Sequence, residues 1–160
     1  IAYRMRNEKL VTRSSIKSSF SYRNEKYEFI EYINRLDGSK NIVLTKGKII
    51  VKKPIRIRVI STKFKNFKTA FDTKKVKKSF SYLSKFSNFL LIIINNNKQD
   101  NSEKDNAILR YYGIGAQIIK DFKVKNMILV SRNRKKIIGL EGFGLKIKKQ
   151  EIIRWKKFSL

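Results

Sequence analysis

The sequence contains neither Cys nor His. Thiolate nucleophiles, imidazole bases, disulfides and the ordinary sulfur and nitrogen ligands of zinc are thereby excluded. The side chains left to do chemistry are carboxylates, hydroxyls and above all cations, with 39 Lys and Arg against 12 Asp and Glu and a formal charge of +27. The densest cationic runs are Lys74, Lys75, Lys77 and Lys78, and residues 132–136. Groups of this kind attract phosphates and other polyanions, and counterion release makes such binding fall steeply with salt. One reading is therefore a basic nucleic-acid-binding domain that grips its partner non-specifically. Charge speaks of association rather than fold, and the joint abundance of Lys, Asn, Ile and Phe is also what an AT-rich coding sequence produces without selection for binding.

The elements that must position these groups are legible from periodicity. Residues 27–33 mix aromatic and β-branched side chains, Asp37-Gly38 supplies a turn, and residues 41–44 return as a second strand, so a hairpin is expected. Lys46-Gly47-Lys48 reads as another turn. Pro54 precedes a strand over 55–60, in which Ile55, Ile57 and Val59 alternate with Arg56, Arg58 and Ile60 and turn one apolar face inward. Val76, Phe80, Leu83 and Phe86 recur at helical spacing, predicting a helix over 73–86 with a basic outer face. Phe64, Phe67 and Phe71 are read as core rather than as stacking platforms for bases.

The apolar run 89–94 suits a strand covered on both faces. It is much too short to cross a bilayer, which takes about 20 residues. A polar loop follows, and Ser102 with Asp105 suggests a helix start. Ile108, Tyr111, Ile114, Ile118 and Phe122 mark one face of that helix, and Met127 to Val130 form the next strand. Gly113 and Gly115 within the helix each cost about 1 kcal/mol relative to Ala, which close approach to another backbone would offset. Strand, helix and strand over 89–131 make a βαβ unit that should cross over right-handedly to a parallel neighbour. A short basic helix over 134–139, a final strand over 145–147 and Trp155 as an anchor complete the reading, whereas residues 12–21 are polar enough for an exposed connection. The fold class is α/β, a mixed sheet with a βαβ unit, and 160 residues with 41% hydrophobic side chains support a single core.

Residues 107–147 also resemble the carboxy-terminal part of GTP cyclohydrolase II, the zinc enzyme that opens the guanine ring of GTP at the start of riboflavin synthesis. The resemblance lies in Leu109-Arg110, Tyr112-Gly113-Ile114-Gly115-Ala116-Gln117-Ile118, the strand from Met127 to Ser131, Lys135-Lys136-Ile137 and Gly139-Leu140-Glu141-Gly142-Phe143-Gly144-Leu145. It implies a cyclohydrolase-like fold and identifies positions where the family's chemistry would sit. There, three cysteines hold a zinc that activates the attacking water. The first falls near Lys63, after Arg58-Val59-Ile60-Ser61, and the others fall within Phe71-Asp72-Thr73-Lys74-Lys75, so two lysines and an aspartate replace three thiolates. The carboxylate of the family's general base has become Ile108.

The arginine that the family assigns as nucleophile is retained as Arg110. The family's phosphate-cradling segment after the middle strand is replaced by residues 95–105, but Ser131 keeps a hydroxyl and Lys136 an ammonium in the last binding loop. Arg58, Ser61, Ser131 and Lys136 are accordingly the candidates for residual contacts to phosphate or GTP, with Arg132 and Lys135 beside them; no metal or other cofactor is expected. The opening stretch, residues 1–11, resembles the end of a 3,4-dihydroxy-2-butanone 4-phosphate synthase, and the chain begins at Ile1 rather than Met. A piece of a longer protein is expected, with residues 1–21 a linker from an upstream synthase domain and 22–160 a degenerate cyclohydrolase-like domain. With metal, base and phosphate segment all replaced, a catalytically inactive module with a structural or regulatory role is expected, with the synthase domain as partner and a homodimer as a further option; with no long apolar run and no signal peptide in view, a cytoplasmic protein is expected.

Overall fold

The computed structural model describes residues 11–96, 104–132 and 144–153, with the side chains of 15, 16 and 104–112 excepted. Seven strands form one sheet in the order β1-β2-β3-β5-β4-β6-β7, where β1 is Val11–Tyr22, β2 Glu25–Asn34, β3 Lys40–Lys46, β4 Ile55–Thr62, β5 Phe89–Asn95, β6 Asn126–Ser131 and β7 Lys146–Ile152. Strands β1, β2, β3 and β5 pair antiparallel, whereas β5, β4, β6 and β7 pair parallel. Among the described residues three helices cover the sheet: α1 is Phe67–Asp72, α2 Lys74–Leu83 and α3 Lys104–Asp121. Among the described residues, no helix is long and apolar enough to cross a membrane.

The central strand β5 explains the layering. Its side chains alternate, so Leu90, Ile92 and Ile94 join the cluster containing Ile114, Ala116, Ile118 and Ile119 of α3, while Phe89, Leu91 and Ile93 join that containing Ala70 of α1 and Val76, Phe80 and Leu83 of α2. Every residue of β5 except Asn95 is buried, as a continuous apolar strand between two helical layers must be. The alternation in β4 is only partly an inside–outside pattern. Ile55, Ile57 and Val59 pack toward α3, but Ile60 is buried toward α2 and Arg58 is also 5% exposed.

The expected hairpin is β2–β3, closed by hydrogen bonds from Asn34 N to Ser39 O and from Gly38 N to Asn34 O, both 2.8 Å. The helix expected over 73–86 is α2, and α1 precedes it. Asn66 and Thr69 close α1 with a reciprocal capping box, both bonds 3.0 Å. Phe64 is buried, and Phe67 and Phe71 pack against the same core.

Four expectations need correction. Residues 12–21 are not an exposed connection: they form β1, and the boundary drawn at 21/22 falls inside that strand. Their Ser, Thr and Arg content suits an edge strand, with one rim left to solvent, while Phe20 stacks on Tyr27 and Val11 is buried. Asp121 at the end of α3 accepts hydrogen bonds from Arg13 Nε at 2.9 Å and the Tyr32 hydroxyl at 2.5 Å, tying that edge to the helical layer. Secondly, the βαβ unit from β5 through α3 does not reach an adjacent parallel neighbour, because β4 lies between β5 and β6. An 18-residue helix is about 27 Å long, ample to step across one intervening strand. Thirdly, Gly115 approaches the Val59 and Ile94 side chains rather than a backbone. Fourthly, the last strand runs to Ile152 and not 147. The helix expected over 134–139 and Trp155 lie outside the described residues.

Candidate functional site

In an open parallel α/β sheet, ligands collect beyond the carboxyl ends of the strands. Here that edge carries Ser61 and Thr62 of β4, Asn95 of β5 and Ser131 of β6. Much of it is occupied by a polar clasp. Asn95 Nδ2 donates to Phe64 O at 3.0 Å and its Oδ1 accepts from Phe64 N at 3.3 Å, while Asn96 N donates to Thr62 O at 3.0 Å. Asn95 N in turn donates to Asn41 Oδ1 at 3.0 Å. Asn41 Nδ2 is buried without a hydrogen-bond partner. On β6, Ser131 is 1% exposed and its carbonyl accepts from Ile153 N at 2.8 Å.

Strand alternation divides the candidate residues. Arg58 shares the α2 face with Ile60, and its Nε lies 3.2 Å from Ser79 Oγ of α2, both groups being buried. Ser61, one register position beyond Ile60, belongs to the opposite face with Ile57 and Val59. Ser131 follows Met127 and Leu129 onto that α3 face as well. Arg58 and the two serines thus lie on different sides of the sheet. Arg110 lies in the second turn of α3, its side chain outside the described ones, and Lys136 is likewise outside.

The positions to which the resemblance would assign a zinc centre do not fit the metal. Lys63 is exposed just after β4, Asp72 closes α1 with its carboxylate 3.9 Å from Lys77 Nζ, and Lys74 opens α2. Ammonium groups have no lone pair to give at neutral pH, and one carboxylate cannot hold zinc. Among the described residues, no three Asp or Glu side chains gather as metal ligands.

Sequence reasoning missed the best-formed polar cluster. Glu151 of β7 accepts from Arg56 of β4, Nε at 3.0 Å and Nη2 at 3.3 Å, and from the hydroxyl of Tyr82 on α2. Arg56 also lies 3.6 Å over the Phe86 ring. Burial pushes the Tyr82 hydroxyl up, and the hydrogen bond to Glu151 and its charge push it further, to about 12. Burial alone would raise the Glu151 carboxyl; the bonds from Arg56 and Tyr82 and the charges of Arg56 and Lys149 outweigh it and hold that group below its ordinary value. The partners lie 69 and 95 residues apart, so no local signal in the sequence points to them.

Helices on both faces of a mixed, half-parallel sheet define an α/β domain, and the carboxyl edge of its parallel strands carries hydroxyl and amide groups. Residues 92–152 match the GTP cyclohydrolase II family. Over 92% of its length the chain is 27% identical to the riboflavin biosynthesis protein RibBA of Chlorobium phaeovibrioides, covering 42% of that protein. It is 31% identical, again over 92% of its length, to a 3,4-dihydroxy-2-butanone 4-phosphate synthase of Sulfurospirillum multivorans, covering 39% of it. The crystal structure of RibBX, a two domain 3,4-dihydroxy-2-butanone 4-phosphate synthase from A. baumannii, shares the fold with a TM-score of 0.65 at 22% identity, over 95% of this chain and 43% of that one. Over residues 92–152 the chain is thus similar to GTP cyclohydrolase II, and over most of its length to riboflavin biosynthesis proteins. It spans about two fifths of the length of these curated relatives.

Proposed function

We propose that this domain is a catalytically silent GTP cyclohydrolase II-like module, serving structure or regulation beside a 3,4-dihydroxy-2-butanone 4-phosphate synthase domain in a riboflavin-pathway protein. The observation that carries the reading is the donor set. Lys63, Asp72 and Lys74 stand at the zinc-ligand positions and Ile108 at that of the general base, in a sequence with no Cys or His. Water activation by a metal needs neutral or anionic ligands around it, and two ammonium groups repel the cation instead. The framework is retained: the sheet, its two helical layers and the α3–β6 unit are intact. The upstream partner is inferred from relatives more than twice as long as this chain and from a neighbour described as two-domain.

The test is release of formate from GTP by the purified chain, with and without added zinc, beside an active cyclohydrolase. No formate above the protein-free rate is expected in either condition, and zinc-dependent turnover would overturn the proposal. Residual phosphate binding through Arg110, Ser131 and Lys136 is a weaker reading, since Arg58 and Ser61 do not converge. The polyanion reading rests on exposed Lys74, Lys75 and Lys77 along α2 and amounts to sequence-blind attraction.

A further inference from the structure

A cleft of about 410 Å³ lies between α2, the end of α1 and the β1–β2 hairpin, within the range of about 300–1,000 Å³ usual for small-molecule sites. Three rings line it. Phe80 is fully buried, and Tyr22 and Phe71 meet it edge-on with centroids 5.3 and 5.2 Å away. Tyr22 and Phe71 themselves remain partly exposed, and rings so placed accept a further planar group by stacking. Lys77, Lys78 and Ser81 of α2 form the rim with Asp72. The Lys77–Asp72 pair is 3.9 Å long with both side chains 57% exposed, so little is lost when it opens. Arg23 adds a third cation, its guanidinium 5.3 Å over the Tyr22 ring. Two ammonium groups and one carboxylate thus line an aromatic floor, with Arg23 beside it.

We propose that this cleft binds a planar aromatic anion of mononucleotide size, its ring against Tyr22 and Phe71 and its anionic group at Lys77 and Lys78. Among the described residues that the resemblance ties to cyclohydrolase chemistry, Asp72 alone lines this cleft, on its rim. Tyr22 pairs with Glu25, whose carboxylate meets Lys46, and Lys46 pairs with Phe89 at the start of β5. Tyr22 is therefore at the end of the sheet where the parallel strands begin, whereas Ser61 and Ser131 lie where β4 and β6 finish. The inference goes beyond the loss of cyclohydrolase activity and stands whatever the formate assay returns.

Calorimetric titration of the chain at fixed ionic strength with AMP, adenosine and inorganic phosphate tests it. Saturable one-to-one binding of AMP is expected, with adenosine and phosphate each at least about tenfold weaker. The aromatic carboxylate 2-naphthoate should displace AMP, since the shared chemistry is ring plus anion. Phe71→Leu, the pair Lys77→Ala/Lys78→Ala, and Ser81→Trp, which fills the cleft from an exposed position, should each weaken AMP about tenfold or more. The pair Lys52→Ala/Lys53→Ala, on an exposed loop elsewhere, should leave it unchanged. Thermal melting is used to confirm that each variant folds. Phosphate binding as tightly as AMP, equal affinity for adenosine, binding only to oligonucleotides, or AMP affinity unmoved by Ser81→Trp would each overturn the proposal.

Discussion

Glu151 shows how one residue can join elements that the sheet keeps apart. Strands β4 and β7 are separated by β6, yet Arg56 and Glu151 meet across it on the α2 face, and Tyr82 brings the helix to the same carboxylate. Hydrogen bonds to charged groups are worth roughly 1.5–3 kcal/mol when well buried, and the 27% and 16% side-chain exposure of Arg56 and Glu151 lowers that figure. Glu151→Gln and Tyr82→Phe should each cost about 1–2 kcal/mol at pH 7 in urea unfolding. The folded Glu151 carboxyl is held below 4.5, so its contribution is present above that value and lost as pH falls through the lowered folded pKa. Tyr82 has the opposite sign. With a folded pKa of about 12 against 10, its contribution is full below pH 10 and is lost as pH rises toward 12. Tyr82→Phe should therefore remove its own share of the alkaline limb, Tyr32 and Tyr27 keeping theirs, while leaving most of the acid limb. A Tyr82→Phe stability profile parallel to the parent from pH 8 to 12 would show that the hydroxyl carries no such role.

Turns and helices differ sharply in what their glycines permit. Gly47, between β3 and β4, has φ +73°, and a Cβ there would stand 2.3 Å from the Ser87 carbonyl oxygen. Both the left-handed backbone and the collision oppose substitution, so Gly47→Ala should cost more than about 2 kcal/mol. Gly115, inside α3, would place a Cβ 3.5 Å from Val59 Cγ1, an ordinary contact. Gly115→Ala should then be neutral or stabilising by up to about 1 kcal/mol through helix propensity. Urea midpoints of the two variants give the comparison, and a loss at Gly115 as large as that at Gly47 would refute it. The same distinction explains how much could be read from the sequence. The turn at Gly47, the β2–β3 hairpin, α2, β5 and β6 are set by local pattern, and each is found within a few residues of its expected place. The insertion of β4 between β5 and β6, the recruitment of residues 12–21 into β1 and the Arg56–Glu151–Tyr82 cluster depend on which distant segments pack together, and local periodicity carries no term for that. The candidate site divided in the same way: Arg58 and Ser61 are three residues apart on β4, and an odd number of steps along the pleat sends them to different faces.

At the scale of the whole molecule, charge is the unbalanced quantity. Six ion pairs engage carboxylates among the described residues: Asp121, Glu28, Glu31, Glu25, Glu151 and Asp72. The sequence holds 39 Lys and Arg, so most cations repel one another without a carboxylate to offset them. Helix α2 concentrates this strain, for it begins with Lys74 and Lys75 and has no acidic residue in its first turn, against the positive end of its own dipole. Salt acts on repulsion and attraction alike, but exposed pairs contribute about 0–1 kcal/mol each, whereas repulsion sums over many distant pairs. The Debye length falls from about 30 Å at 0.01 M to about 10 Å at 0.1 M, which screens long-range repulsion before close pairs. The melting temperature should therefore rise with NaCl between those concentrations, by about 2–4 °C, the shift expected of roughly 1 kcal/mol in a chain of this size. Reversing charge at the crowded helix start with Lys74→Glu/Lys75→Glu should raise the low-salt melting temperature and flatten the dependence. A melting temperature that falls with salt in the parent would mean that the six pairs, and not the uncompensated cations, dominate the electrostatics of the folded chain.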